Sequence, residues 1–301
     1  MTDTPCLFDQ DLLRARLQRA VKQDPADFLL ARAADDLAER LDAVLRSFDN
    51  VLDLATPGPH AVEVIATSGK AKRVLQAPPM PDMAAPYGGV ETVTADPAIL
   101  PFEPASLDAV ISLLALHTVD DLPGTLIQIR RALRPDGMFM ACIPGGQTLH
   151  ELREAFTEAE IEIEGGMSPR VFPFADVRDL GGLLQRAGFA LPVADSEIVT
   201  VRYADPLKLL RDLRAMGATN ILNARRKTFL KRATLLRMFE IYQQKFADAD
   251  GRVRATFELV WLSGWAPDPS QQKPLKPGSA AMRLADALKT DEIPAGEKPR
   301  G

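Results

Sequence analysis

The sequence predicts an α/β fold in which a doubly wound, Rossmann-like sheet carries helices on both faces. Two observations lead there. From residue 48 onward, short β-branched runs alternate with amphipathic stretches, the pattern of βαβ units. The chain also has 301 residues and 46% hydrophobic content, enough to bury a large core. Proline bears on the site more than on the fold. It stands at 24 of 301 positions, about 8% against an ordinary share of roughly 5%. Nine prolines lie between Pro57 and Pro104, and six between Pro267 and Pro299.

Residues 1–47 read as helices packing on the core. Leu12, Leu13 and Leu17 mark one apolar face, and Leu37, Leu41, Val44 and Leu45 a second, at helical spacing. The core is expected over 48–205, with strands at Val51–Leu54, Val74–Leu75, Val90–Val93, Ala109–Leu114 and Met138–Ile143. Asp120 or Asp121 can cap the helix LPGTLIQIRRALR, and Pro135-Asp136-Gly137 ends it with turn chemistry. Further helices are expected over Thr148–Glu164 and Asp176–Ala187, the latter stopped by Gly188. Residues 206–252 read as a helical lid and 253–266 as a closing strand. The tail 267–301 is too polar to fold alone, and a short helix over Ala280–Leu288 is the one element expected in it.

Charge and cysteine content exclude several functions. With 36 basic and 41 acidic residues the net charge is −5, so no general affinity for nucleic acid or anionic membrane follows. Cys6 and Cys142 lack CxxC partners, which excludes a disulfide scaffold or a cysteine zinc site and suggests a reducing compartment. The opening residues show no secretory h-region, and no apolar run reaches the ~18 residues of a membrane span. A soluble, cytoplasmic protein is the expectation.

The segment VLDLATPGPHAVEVI joins a strand ending near Asp53 to a helix. A nucleotide site here wants glycines and free N–H groups, yet the loop is Ala55-Thr56-Pro57-Gly58-Pro59. Two prolines remove two donors and fix φ. The loop reads equally as a plain strand-to-helix turn.

The stretch LPFEPASLDAVISLLALHTVDDLPGTLIQIRRALRPDGMFMACIPGG resembles class I S-adenosylmethionine-dependent methyltransferases, with Leu113, Leu116, His117, Leu133, Pro135 and Gly137 at matching places. GGQTLHELREAF, EGGMSPRVFPFADVRDLGGLLQRAGF, MGATNILNARRKTFLKRATL and ATFELVWLSGW narrow the likeness. Together they resemble the methyltransferase-like assembly factors of respiratory complex I, whose mitochondrial member is described as a protein-arginine hydroxylase. The malonyl-carrier-protein methyltransferases of biotin synthesis are similar in look.

The resemblance implies S-adenosyl-L-methionine as cofactor and a complex I subunit as partner. It places Asp53, Ala55, Gly58, Gln76, Asp96 and Leu113 at the cofactor. Three glycines of the family motif are replaced by Ala55, Pro57 and Pro59, and Pro78 stands where the ribose-binding acid would be, with Gln76 and Asp82 nearby. Weakened cofactor binding is the physical expectation. Asp96 matches the residue that meets the adenine amino group.

His117 reads two ways, as a base or substrate clamp at the mouth of the fourth strand or as a structural cap. His60 follows Pro59 and can reach the site, while His150 reads as a surface residue. The three histidines, at 60, 117 and 150, show no metal-ligand spacing. Arg225, Arg226 and Lys231 belong to the densest cationic cluster. That cluster is either a solvated helix face or a docking surface for an acidic partner. Three functions stay open: an assembly enzyme modifying a protein side chain, a methyltransferase of a small molecule or carrier protein, and a non-catalytic assembly chaperone.

Overall fold

The computed structural model describes residues 6–23, 25–85, 87–272, 279 and 282–291. Residues Met1–Pro267 form one compact unit and Asp268–Gly301 a second. In the first unit, seven strands build one sheet: β1 (Phe48–Leu54), β2 (Ala71–Ala77), β3 (Val90–Thr92), β4 (Leu107–Leu113), β5 (Leu133–Pro144), β6 (Ala190–Tyr203) and β7 (Val253–Trp265). Their order is β3-β2-β1-β4-β5-β7-β6. The first five run parallel, and β7 lies antiparallel between β5 and β6. The order reverses direction between β1 and β4, and in open α/β sheets that switch opens a crevice beyond the strands' carboxyl ends.

Alternation along each strand decides which helices cover which face. On β1, Val51 and Leu52 point to opposite sides. Leu52 and Leu54 join Val110 and Phe139, covered by α4 (Leu122–Ala132) and α6 (Val177–Arg186) through Leu126, Ile129, Leu180 and Leu184. Val51 joins Ile111, Met140 and Trp261 beneath α2 (Phe28–Ala43) and α3 (His60–Thr67), through Leu37, Leu41, Ala61 and Ile65. Full burial of a side chain such as Leu37, which is 0% exposed, contributes about 1.5–3 kcal/mol.

Helix starts follow the capping chemistry. α1 (Gln10–Val21) is capped by Asp9, whose carboxylate accepts from the Leu12 N–H at 3.0 Å. Asp121 caps α4 by accepting from Gly124 N–H at 2.9 Å. Asp120 serves another purpose: its Oδ1 accepts from the N–H groups of Leu7 and Phe8 at 2.7 and 2.9 Å, tying the segment before α1 to the loop after β4.

Four differences from the sequence reading matter. β6 was not expected, although Ile198–Val201 carries its β-branched signal. It pairs with β7 from Ala190 to Tyr203, and its alternating burial is that of a half-exposed edge strand. β3 ends at Thr92, so Asp96 lies in the following turn, not at a strand end. The helical stretch expected over Pro206–Asp250 is two helices, α7 (Pro206–Ala215) and α8 (Arg232–Phe246), after α5 (His150–Glu164). Arg225 and Arg226 lie in the irregular segment between them. In the second unit, α9 spans Leu284–Leu288; much of the tail expected to stay unfolded, including 273–278 and 292–301, lies outside the described residues.

Candidate functional site

A cavity of about 390 Å³ opens beyond the carboxyl ends of β1, β4 and β5, within the size range of small-molecule sites. Its walls come from the α1–α2 connection, the loop Pro57–His60, residues Asp82–Ala85, Leu114 and His117 after β4, Pro144 to Leu149 after β5, Phe172 and Phe174, the end of α7, and Phe257–Leu259 of β7. Most of this lining is apolar. The ionisable groups in it are Asp27, Asp82, Glu258, His60 and His117, and no lysine or arginine lines it among the described residues.

The backbone beyond three strand ends is strained in a regular way. Ala55, Leu114 and Leu149 follow β1, β4 and β5, and they have φ of 59°, 51° and 54°. A side chain in this left-handed region costs on the order of 1 kcal/mol. The surrounding hydrogen bonds hold all three: Ala55 N–H to Ala77 O at 2.7 Å, Leu114 N–H to Cys142 O at 2.8 Å, and Leu149 N–H to Thr256 O at 2.7 Å. Ala55 thus keeps the turn that a glycine would make, without the glycine.

The structure separates the expected cofactor residues. Asp53 is 0% exposed, and neither carboxyl oxygen accepts a hydrogen bond. Burial pushes its pKa up to about 7. Gln76 is also fully buried and bridges two loops, donating weakly to Gly58 O at 3.4 Å and accepting from Ala85 N–H at 2.8 Å. Gly58 lines the cavity with φ of 88°, a conformation suited to glycine. Leu113 is buried and donates its N–H to Thr56 Oγ1 at 3.0 Å. Asp96 is exposed and closes its own turn, its Oδ1 accepting from Ala98 N–H at 2.9 Å. It does not line the cavity.

Several groups that the resemblance assigns to the nucleoside are therefore engaged elsewhere. Gln76 is engaged by loop backbone, Asp96 faces its own turn, and Pro57 and Pro59 offer no N–H. Of Gln76 and Asp82, the two substitutes near the end of β2, Asp82 alone borders the cavity. The residues do not fit the cofactor in the expected mode.

His117 does border the cavity. Its Nδ1 is buried without a partner, and desolvation lowers its pKa to about 4, so the imidazole is neutral at pH 7. Phe172 and Phe174 stand 6.4 and 6.1 Å from it, centroid to centroid. His60 also lines the cavity, with Nε2 3.2 Å from Asp27. His150 lies apart, its Nδ1 3.2 Å from Gln147 O.

The cationic cluster is engaged within the chain. Arg225 pairs with Asp9 at 2.9 Å, Arg226 with Glu164, and Lys231 with Glu164 at 3.4 Å. These contacts tie the α7–α8 segment to the start of α1 and the end of α5. Sequence reasoning missed Glu258, a buried carboxylate bordering the cavity. Its only signal was an acid inside the apolar run ATFELVWL.

A seven-stranded sheet with one antiparallel strand, and a cavity at its switch point, define a protein of the class I methyltransferase fold. Residues 52–141 match the methyltransferase-domain family. The fold is similar to that of the BH2331 protein of Bacillus halodurans C-125, with a TM-score of 0.54 at 18% identity, covering 77% of this chain and 98% of that one. The chain is 35% identical over 298 residues to arginine-hydroxylase NDUFAF5, mitochondrial, of Danio rerio, covering 95% of this chain and 91% of that protein. It belongs to the NDUFAF5 family. Malonyl-[acyl-carrier protein] O-methyltransferase of Halorhodospira halophila is also 35% identical, over 253 residues, covering 82% of this chain and 84% of that enzyme.

These relatives overturn the expected cytoplasmic location, because the NDUFAF5 proteins are named mitochondrial. The cytoplasmic expectation leaned on two cysteines without CxxC partners, and cysteine usage does not give an address.

Proposed function

We propose that the chain acts in the assembly of respiratory complex I by binding or modifying an arginine-bearing segment of a subunit, with only a weakened hold on S-adenosylmethionine. The observation that carries this reading is the charge of the cavity. Three carboxylates and two histidines line it with no lysine or arginine, so its field favours a cationic guest. The name of the Danio rerio relative, an arginine-hydroxylase, agrees with such a guest. The loop Ala55–Pro59, the engaged Gln76 and the displaced Asp96 support the weak cofactor hold.

A second reading, methylation of a small molecule or carrier protein, is favoured by the Halorhodospira halophila relative. A malonyl carboxylate would enter a cavity with no cation to pair with it, which counts against that reading. A third, an assembly chaperone without catalysis, draws on the same altered loop.

The test is deletion of the gene, followed by mass spectrometry of complex I subunits and measurement of complex I itself. Loss of complex I, with or without a changed arginine, is expected. Normal complex I with unchanged side chains sinks the proposal. Calorimetric titration with S-adenosylmethionine separates the others: micromolar binding removes the chaperone reading, and no binding at millimolar ligand removes the methyltransferase reading.

A further inference from the structure

Glu258 lies on β7, 8% exposed, and borders the cavity. Its backbone is held on both sides, the N–H donating to Thr148 Oγ1 at 3.0 Å and the carbonyl accepting from Gly145 N–H at 2.8 Å. Its carboxylate accepts one hydrogen bond, from Gln147 N–H to Oε2 at 2.8 Å. Oε1 accepts none, and no lysine, arginine or histidine pairs with it among the described residues. The other buried glutamates have both carboxylate oxygens engaged: Glu160 is met by Arg170 and Ser168, and Glu151 accepts from Thr256 N–H at 3.1 Å and Thr256 Oγ1 at 2.5 Å. An acid buried without a cation is costly unless something supplies the charge.

Gly145 makes room for this arrangement. A Cβ there would stand 2.6 Å from Glu258 Cδ and Oε2, so any other residue would displace the carboxylate. The same cavity has an aromatic wall, in which Phe172 and Phe174 lie 5.9 Å apart and both pack near the neutral His117. A carboxylate and aromatic faces lining one cavity are the chemistry that recognises a planar, delocalised cation: two of its N–H groups can meet an acid while its plane lies on a ring.

We infer that Glu258 is the seat of a guanidinium group, whose charge pairs with the free carboxylate oxygen while its plane lies against Phe172 and Phe174. This rests on the reading above that an arginine enters the cavity, and it names the residue that selects it. His117 borders the same cavity and, being neutral at pH 7, adds no competing positive charge there.

The experiment titrates the full chain calorimetrically with N-acetyl-arginine methylamide and with its citrulline counterpart, which keeps the shape and loses the charge. Wild type is expected to prefer the arginine compound by about tenfold or more, the effect of one charged hydrogen bond. Glu258→Gln keeps an acceptor for Gln147 N–H and is expected to abolish the preference while leaving the citrulline affinity unchanged. If Glu258→Gln does not fold, Glu258→Asp retains the charge but withdraws it by one methylene, and should weaken arginine binding more than citrulline binding. Equal preference in wild type and variant, or no preference in wild type, overturns the inference.

Restoration of complex I in a deletion strain is scored separately. A chain that restores complex I yet binds both compounds alike removes the Glu258 seat and leaves the assembly reading. One that prefers arginine but leaves complex I absent removes the assembly reading and leaves the seat.

Discussion

The N–H of Leu113 donates to the hydroxyl of Thr56 at 3.0 Å, with both residues fully buried. This bond pins the end of β4 to the loop after β1, across the switch point where the cavity opens. Thr56→Val keeps the volume and removes the acceptor, orphaning a buried N–H. A loss of about 1–3 kcal/mol is expected, read from the urea midpoint, and an unchanged midpoint would show that the bond adds no stability.

Asp53 predicts a pH effect of definite sign. Its pKa rises from 3.8 to about 7 on folding, so between those values the folded chain keeps a proton that the unfolded chain releases. Its contribution to stability therefore falls as pH rises through that window. Asp53→Asn should stabilise the protein above pH 7 by up to roughly 4 kcal/mol, about three pKa units at 1.36 kcal/mol each. The gain should vanish near pH 4. Thermal melts across that range decide it, and a gain independent of pH would disprove the assignment.

His117 acts in the opposite direction. Its pKa falls from 6.5 to about 4, so between those values the unfolded chain binds a proton that the folded chain refuses. Its contribution to stability therefore rises with pH across that window and levels off above it. His117→Gln should remove that rise. NMR titration of the imidazole offers a direct check, since protonation near pH 6.5 would contradict the burial argument.

Ala55 holds a left-handed φ of 59°. Ala55→Gly relieves the clash of its Cβ but loosens the unfolded chain, so a net gain of no more than about 1 kcal/mol is expected. A loss measured by denaturant unfolding would mean that the methyl group packs more usefully than its strain costs.

Arg226 pairs with Glu164, which is almost wholly buried. Arg226→Ala leaves that acid to Lys231 and Thr234 and should cost about 1–2 kcal/mol. Lys227→Ala, at an exposed neighbour, should stay within about 0.5 kcal/mol. Equal losses at the two positions would count against the ion pair as a structural tie.

Local pattern was enough for much of the fold. The βαβ rhythm from Val51 to Ile143, the Asp121 cap and the stop at Gly188 all depend on residues near one another in the chain, whereas Pro135-Asp136-Gly137, expected as a turn, lies inside β5. β6 was legible in the run Ile198–Val201, yet its pairing with β7 depends on a partner about sixty residues away. The site was far less legible. The resemblance brought Asp53, Gln76, Leu113 and Asp96 forward, but a linear string does not show which polar groups are already engaged. Gln76 is claimed by two loop backbones, and Asp96 by its own turn.

By itself the sequence determined the class of fold, the family and the loss of the glycine pattern at 55, 57 and 59. These follow from the order and spacing of residues along the chain. Tertiary structure alone decided which charges meet. Arg225 reaches Asp9 and Arg226 reaches Glu164 across elements far apart in sequence, while Glu258, set in an apolar strand, pairs with no cation among the described residues. The energy of a buried charge depends on its neighbours in space, and only the folded chain defines those.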